Sequence, residues 1–202
     1  MIDAVRTATR PRIEGERESA IFDATMRLLA TSGYDRLTMD AVAAEARASK
    51  ATLYRRWTTK ADLVVDALVW LKNCLPDEAP STGTLRGDLL SAACSEGGLT
   101  DQMPRAVFGA LITAMQRDEA LAVAFQERFL APVEQRTRTI FERAKARGEI
   151  ADDVDLALIG SVLPSIAIFR ALARNEAVGP ELIEQIVDQV VLPACRGCAA
   201  PD

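Results

Sequence analysis

The chain has 202 residues, with 24 Lys and Arg against 29 Asp and Glu, no histidine and four cysteines. Apolar residues make up 49% and charged residues 26%, which suits a soluble globular protein and is too apolar for a disordered one. The missing histidine excludes Ser-His-Asp triads, Cys-His dyads and His-ligated metal sites, while catalysis by carboxylates, Lys or Cys stays open on composition. The expectation taken from the whole chain is no enzyme and no metal or other cofactor.

The first segment, 1–12, reads as a flexible arm carrying Arg6, Arg10 and Arg12 against Asp3. It has no apolar run and so is not a secretory signal. A helix follows over 13–32, with Ile21, Thr25, Leu28 and Leu29 on one face and Gly33 placed as its left-handed terminating residue. Thr38 is the cap of a short helix whose stripe is Met39, Val42, Ala43 and Ala46, and Asp40 suits its positive start. Ser49 caps a second short helix reaching to about Trp57, with Leu53 and Trp57 four apart and both able to face inward. Lys60 opens a longer helix to about Leu75. The stretch 76–83, PDEAPSTG, is the best internal boundary. Further helices are expected over 85–95, 103–117, 119–147, 154–175 and 180–195, about nine in all, giving an all-α chain. Pro132 is expected to start, kink or split a helix, Gly148 to end one, and Gly179-Pro180 to begin one. The most apolar stretch, Leu156 to Phe169, is interrupted by Gly160, Ser161, Pro164 and Ser165 and reads as too short to cross a bilayer. No membrane partner is expected, and the location expected is the cytoplasm.

Charge is unevenly spread. Residues 1–72 carry 12 basic and 10 acidic side chains, whereas 73–202 carry 12 basic and 19 acidic. A basic end on an acidic body suggests one face for a polyanion and another for something else. The densest basic stretch is the second short helix. From Arg47 to Lys60 there are five cations (Arg47, Lys50, Arg55, Arg56, Lys60) and no acid, with Thr52 and Tyr54 as neutral donors. Two short capped helices across a tight turn, with Ala43, Ala44 and Ala46 at the crossing, form a helix-turn-helix. With Leu53 and Trp57 turned inward, the basic residues line a rod that fits a DNA major groove about 12 Å wide. The competing reading is a solvated, mixed-polarity face on an ordinary helical bundle.

The run from Gly33 through Thr38, Met39, Asp40 and Ala46, then Ser49-Lys50-Ala51-Thr52-Leu53-Tyr54-Arg55-Arg56-Trp57, then Lys60-Ala61-Asp62-Leu63, resembles the tetracycline-repressor family over about residues 13–75. That resemblance implies a dimer in which a three-helix DNA-binding domain (13–75, with its connecting helix) precedes a ligand-binding and dimerisation domain (76–202). By position it implies phosphate contacts from Thr38, Tyr54 and Lys60, and base contacts from Lys50, Ala51, Thr52 and Arg55. Arg47 stands where the family usually has glycine, and Arg56 replaces a more usual His or Tyr. Arg47, Ser49 and Arg56 complete the candidate DNA surface. The arm would enter the minor groove or remain a plain flexible terminus.

Dimerisation is expected through Leu156, Ile159 and Leu163 on one late helix and Ile183, Ile186, Val187 and Val190 on the next. A mainly apolar effector is expected among Phe108, Leu111, Ile112, Met115, Phe125, Phe129 and Ile166. The resulting expectation is a repressor that binds a palindromic double-stranded operator as a homodimer and is released by a small molecule. The alternative is a helical small-molecule-binding or redox-sensing protein without specific DNA binding, the redox option resting on Cys195-Arg196-Gly197-Cys198.

Overall fold

A computed structural model describes residues 10–71, 78–95, 98–99 and 105–196. Among these residues all regular structure is helical. The chain divides into two compact units, 1–71 with 106–128, and 72–105 with 129–202. The segment 106–128 thus groups with the N-terminal helices, across the boundary read at 76–83.

In the first unit, α1 (Arg10–Ser32) begins three residues before the expected start, so Arg10–Arg12 belong to a helix. Arg6 lies outside the described residues. Ile21, Phe22, Thr25 and Leu29 are buried, and the Thr25 hydroxyl is satisfied by donating to the Ile21 carbonyl at 2.8 Å. Gly33 takes φ +75 and ends the helix as expected. The elements α2 (Met39–Glu45), α3 (Lys50–Arg56) and α4 (Lys60–Leu71) follow. Their core is Met39, Val42, Ala43, Leu53, Trp57, Leu63, Val64 and Leu68. Of the three alanines expected at the α2–α3 crossing, Ala43 is buried, Ala46 half-buried and Ala44 exposed. The unit is completed by α6 (Arg105–Met115) and α7 (Glu119–Phe125), with Val107, Leu111 and Leu121 buried.

In the second unit, α5 (Leu85–Cys94), α8 (Ala131–Ala146), α9 (Leu156–Ala173), α10 (Pro180–Ile186) and α11 (Leu192–Cys195) enclose one core. It includes Leu85, Leu89, Ile140, Phe141, Ile159, Leu163, Ile183, Val187 and Val191. Asp155 caps α9 by accepting from the Ala157 and Leu158 N–H groups. Gly148 takes φ +77 beyond α8, and Pro180 opens α10.

The expected 119–147 helix is interrupted. A π turn, Gln126–Leu130, separates α7 from α8, which carries Pro132 in its first turn. A second π turn, Val187–Val191, precedes Pro193 at the start of α11. Each π turn contains the carbonyl four residues before a proline, which has no N–H for it and whose ring crowds it; Pro164 lies inside α9 without such a turn. At 18 residues and mean hydropathy 1.9, α9 is long and apolar enough to cross a bilayer by length and composition alone. The length argument made from Leu156 to Phe169 therefore fails, because the helix continues to Ala173.

Candidate nucleic-acid interface

The turn before α3 closes with a Schellman motif. The Ala48 N–H donates to the Ala43 carbonyl at 2.9 Å, and the Arg47 N–H to the Ala44 carbonyl at 3.2 Å. The same pair of bonds ends α8, from Glu149 to Ala144 and from Gly148 to Lys145, each at 3.0 Å. The difference is the residue at the left-handed position: glycine at 148, arginine at 47 with φ +52. An L side chain there costs about 1–2 kcal/mol. Arg47→Gly is therefore expected to stabilise folding by about 0.5–1 kcal/mol, once glycine's larger unfolded-state entropy is deducted. Urea unfolding followed by circular dichroism reads this directly, and a loss of stability would contradict it.

Caps orient the two short helices. The Ala41 N–H donates to Thr38 Oγ1 and the Thr52 N–H to Ser49 Oγ, both at 3.1 Å. The Ser49 and Thr52 hydroxyls also bond each other at 2.7 Å, so both are partly committed to the fold. Leu53 and Trp57 are fully buried, and this fixes the rotation of α3. Lys50, Ala51, Tyr54 and Arg55 then face outward, Tyr54 at 54% exposure. With seven residues, α3 is about 10 Å long. Arg47 and Arg55 have no carboxylate partner among the described residues, leaving both charges free for phosphate or base edges.

The other cations are placed differently. Lys50 Nζ donates to Asp40 on α2 at 2.6 Å, and this bond raises its pKa above the ordinary lysine value. Both partners are more than half exposed, so a duplex competes against a weak pair. Arg56 pairs with Glu18 on α1 and lies 5.4 Å from the Trp57 ring centre, which draws it from the Lys50–Arg55 face. Lys60 is half-buried. It donates to the Tyr34 carbonyl at 3.1 Å and sits 4.1 Å from that ring's centre.

Several polar contacts were not foreseen. The Tyr34 hydroxyl donates to Asp118 Oδ2 at 2.7 Å, and Asp118 also caps α7. Burial, followed by the Asp118 bond, raises the phenol's pKa, and the same bond lowers that of Asp118. The Trp57 indole N–H donates to Asp66 Oδ2 at 2.8 Å. A buried indole N–H needs an acceptor, so an acid on the following helix was a readable signal.

The candidate effector residues divide between the units. Leu111 is buried, Phe108, Met115 and Phe125 are half-buried and Ile112 is exposed in the first; Phe129 and Ile166 are half-buried in the second. Of the candidate interface residues, Ile159, Leu163, Ile183, Ile186 and Val187 belong to the second unit's own core, and Leu156 is packed against it. Of the candidates only Val190 is open; the other large apolar side chains left open in this unit, among the described residues, are Val133, Leu158, Phe169 and Leu172, with Leu158 at 68% exposure. Periodicity alone does not say which side of so apolar a helix faces inward. Cys195 is buried in the same core, burial raising its thiol pKa, and Cys198 lies outside the described residues.

A capped helix-turn-helix whose second helix is anchored on one side and cationic on the other defines a DNA-binding transcriptional regulator. The comparisons agree. Residues 21–67 match the family model for bacterial regulatory proteins of the tetR family, and 79–190 match the tetracyclin repressor-like C-terminal domain. The chain is 38% identical to an HTH-type transcriptional regulator of Mycobacterium tuberculosis, Rv1556, over 92% of this chain and 91% of that one. It is 35% identical to the DNA-binding transcriptional repressor TetR of Mycobacteroides abscessus, over 89% and 94% of the two chains. The crystal structure of the TetR family transcription regulator SCO0332 superposes with TM-score 0.60 at 27% identity, covering 87% of this chain and 97% of that one. The chain belongs to the TetR family of transcriptional regulators.

Proposed function

We propose that the protein is a cytoplasmic repressor that binds an inverted-repeat operator as a homodimer and is released by a small, mainly apolar effector. The observation that carries the DNA reading is the placement of Lys50, Ala51, Tyr54 and Arg55 on one open face of α3, opposite the buried Leu53 and Trp57. On this reading Arg55 and Lys50 reach base edges, while Thr38, Arg47, Tyr54 and Lys60 meet phosphates. Arg56 follows only where phosphate displaces Glu18. Repressor activity is supported by the name of the mycobacterial relative. Release requires an effector that prefers a dimer whose two α3 helices are spaced wrongly for DNA, since equal affinity for both states shifts nothing. The apolar character of the effector rests on Phe108, Leu111, Met115 and Phe125, candidate lining residues that are buried or half-buried within the first unit.

The test is a duplex titration at several salt concentrations. Binding is expected to weaken steeply as salt rises, because each phosphate contact releases counterions. Tyr54→Phe is expected to weaken all duplexes alike. Arg55→Ala is expected to cost the preferred sequence about 1–3 kcal/mol and relax selectivity at one position of each half-site. Salt-independent binding, or an Arg55→Ala variant with unchanged preference, contradicts the reading. The redox alternative draws no support from the buried Cys195, because a thiol held protonated by burial is a poor nucleophile.

A further inference from the structure

The end of α3 is tied to a residue that lies far from it in sequence. Trp57, the C-cap of α3, packs edge-on against Phe22 at 5.6 Å between ring centres and gives its indole N–H to Asp66. The other Asp66 oxygen is ion-paired with Arg128. A second nitrogen of the same guanidinium meets Asp62 Oδ1 at 3.3 Å. The remaining Asp62 oxygen accepts from the Thr59 N–H at 3.1 Å and from the Thr59 hydroxyl at 2.8 Å. One guanidinium therefore holds two carboxylates a single turn apart on α4, and each carboxylate holds one end of the three-residue α3–α4 connection.

Both ends of this arrangement have a physical logic. Asp62 and Asp66 are like charges at i and i+4, which repel unless a cation lies between them. Arg128 continues the inward stripe begun by Leu121 and Phe125, placing a forked cation where the α4 carboxylates lie. It sits in the π turn that precedes Pro132, and its carbonyl is the one Pro132 cannot serve as a donor. Single π turns inside helices occur often at functional sites.

We propose that Arg128 is a positioning residue for DNA binding. Through Asp66 and Asp62 it fixes the Trp57 end of the recognition helix, so that withdrawing its guanidinium lowers operator affinity without altering the face that meets DNA. This rests on the DNA-binding reading of α3.

The experiment uses the full chain and a duplex that the wild type binds. Arg128→Met and Arg128→Lys are compared with wild type by duplex titration well below their melting temperatures. The indole N–H resonances of Trp57 and Trp70 are followed by ¹⁵N NMR and assigned with Trp70→Phe. Arg128→Met is expected to weaken operator binding about 5- to 30-fold and to move the Trp57 indole resonance while leaving that of Trp70 in place. Arg128→Lys, which keeps the charge but not the fork, is expected to recover part of the affinity. Arg128→Met binding as tightly as wild type, or an unmoved Trp57 resonance in either variant, overturns the proposal. If Arg128→Met fails to fold, Arg128→Lys decides by the same two readouts. A wild type that binds no duplex overturns the DNA reading instead, and the indole resonances still report the Arg128 linkage separately.

Discussion

Replacing Phe169 by glutamate is expected to yield a folded monomer whose operator affinity has fallen about 100-fold or more. Counted from Leu158, Phe169 and Leu172 lie three and four turns further along the same side of α9, with exposed Ser165 between them, while Val162 on that stripe is half-buried against the core. Phe169 is 59% exposed, and the inward side of the same helix already fills the core with Ile159, Leu163 and Ala167. On the proposed dimer, these open apolar side chains are the expected contact surface. In a two-fold dimer one substitution acts twice, because each copy presents the same patch to the other. Burying a phenylalanine contributes about 1.5–3 kcal/mol, so losing two of them and burying two carboxylates removes most of a typical dimer's stability. Operator binding falls with it, because one half-site no longer raises the local concentration of the other reader. Sedimentation velocity and duplex titration test both parts. A Phe169→Glu dimer that binds DNA normally would place the interface elsewhere.

Asp88→Ala is expected to destabilise folding by about 2–4 kcal/mol and to lower the melting temperature by about 5–12 °C. Asp88 is fully buried at the start of α5. One oxygen accepts from the Thr82 N–H and hydroxyl, and the other meets Arg147 at 3.3 Å. Arg147 also donates to Glu149 at 2.6 Å, and Glu149 accepts the Leu85 N–H at 2.7 Å. Gly148, in its left-handed conformation, turns the chain between these two side chains. Removing the Asp88 carboxylate takes away the acceptor shared by Thr82 and Arg147 and leaves a void where a fully buried side chain stood. Thermal unfolding by circular dichroism measures the loss. A shift under 2 °C would show that the network contributes little.

These two sites show where local sequence pattern stops being informative. Thr38, Ser49, Gly33, Gly148 and Pro180 act through their nearest neighbours, so their roles as caps and breaks were readable. The helix-turn-helix was legible for the same reason: its geometry is set by two caps, one turn and the pair Leu53 and Trp57. Asp88 and Arg147 are 59 residues apart, and Asp66 and Arg128 are 62 apart. Nothing in the local pattern pairs them. The side of α9 that faces outward was equally hidden, since almost every position on that helix is apolar. Arg56 shows a subtler limit. Composition places it among the DNA-facing cations, whereas Glu18, 38 residues earlier, and the Trp57 ring draw it aside. Pro132 signalled an interruption, but not that the chain would absorb it as a π turn, and the helix expected over 180–195 ran through Pro193 without a break.

The most direct test of the central claim, that the open face of α3 reads a duplex, is selection of bound sequences from a random pool. Wild type is expected to enrich an inverted repeat whose half-sites lie one helical turn apart or a multiple of it, about 34 Å per turn. Arg55→Ala is expected to keep that spacing while changing the base preferred within each half-site. Recovery of no common sequence, or of identical half-sites from wild type and Arg55→Ala, would contradict the account.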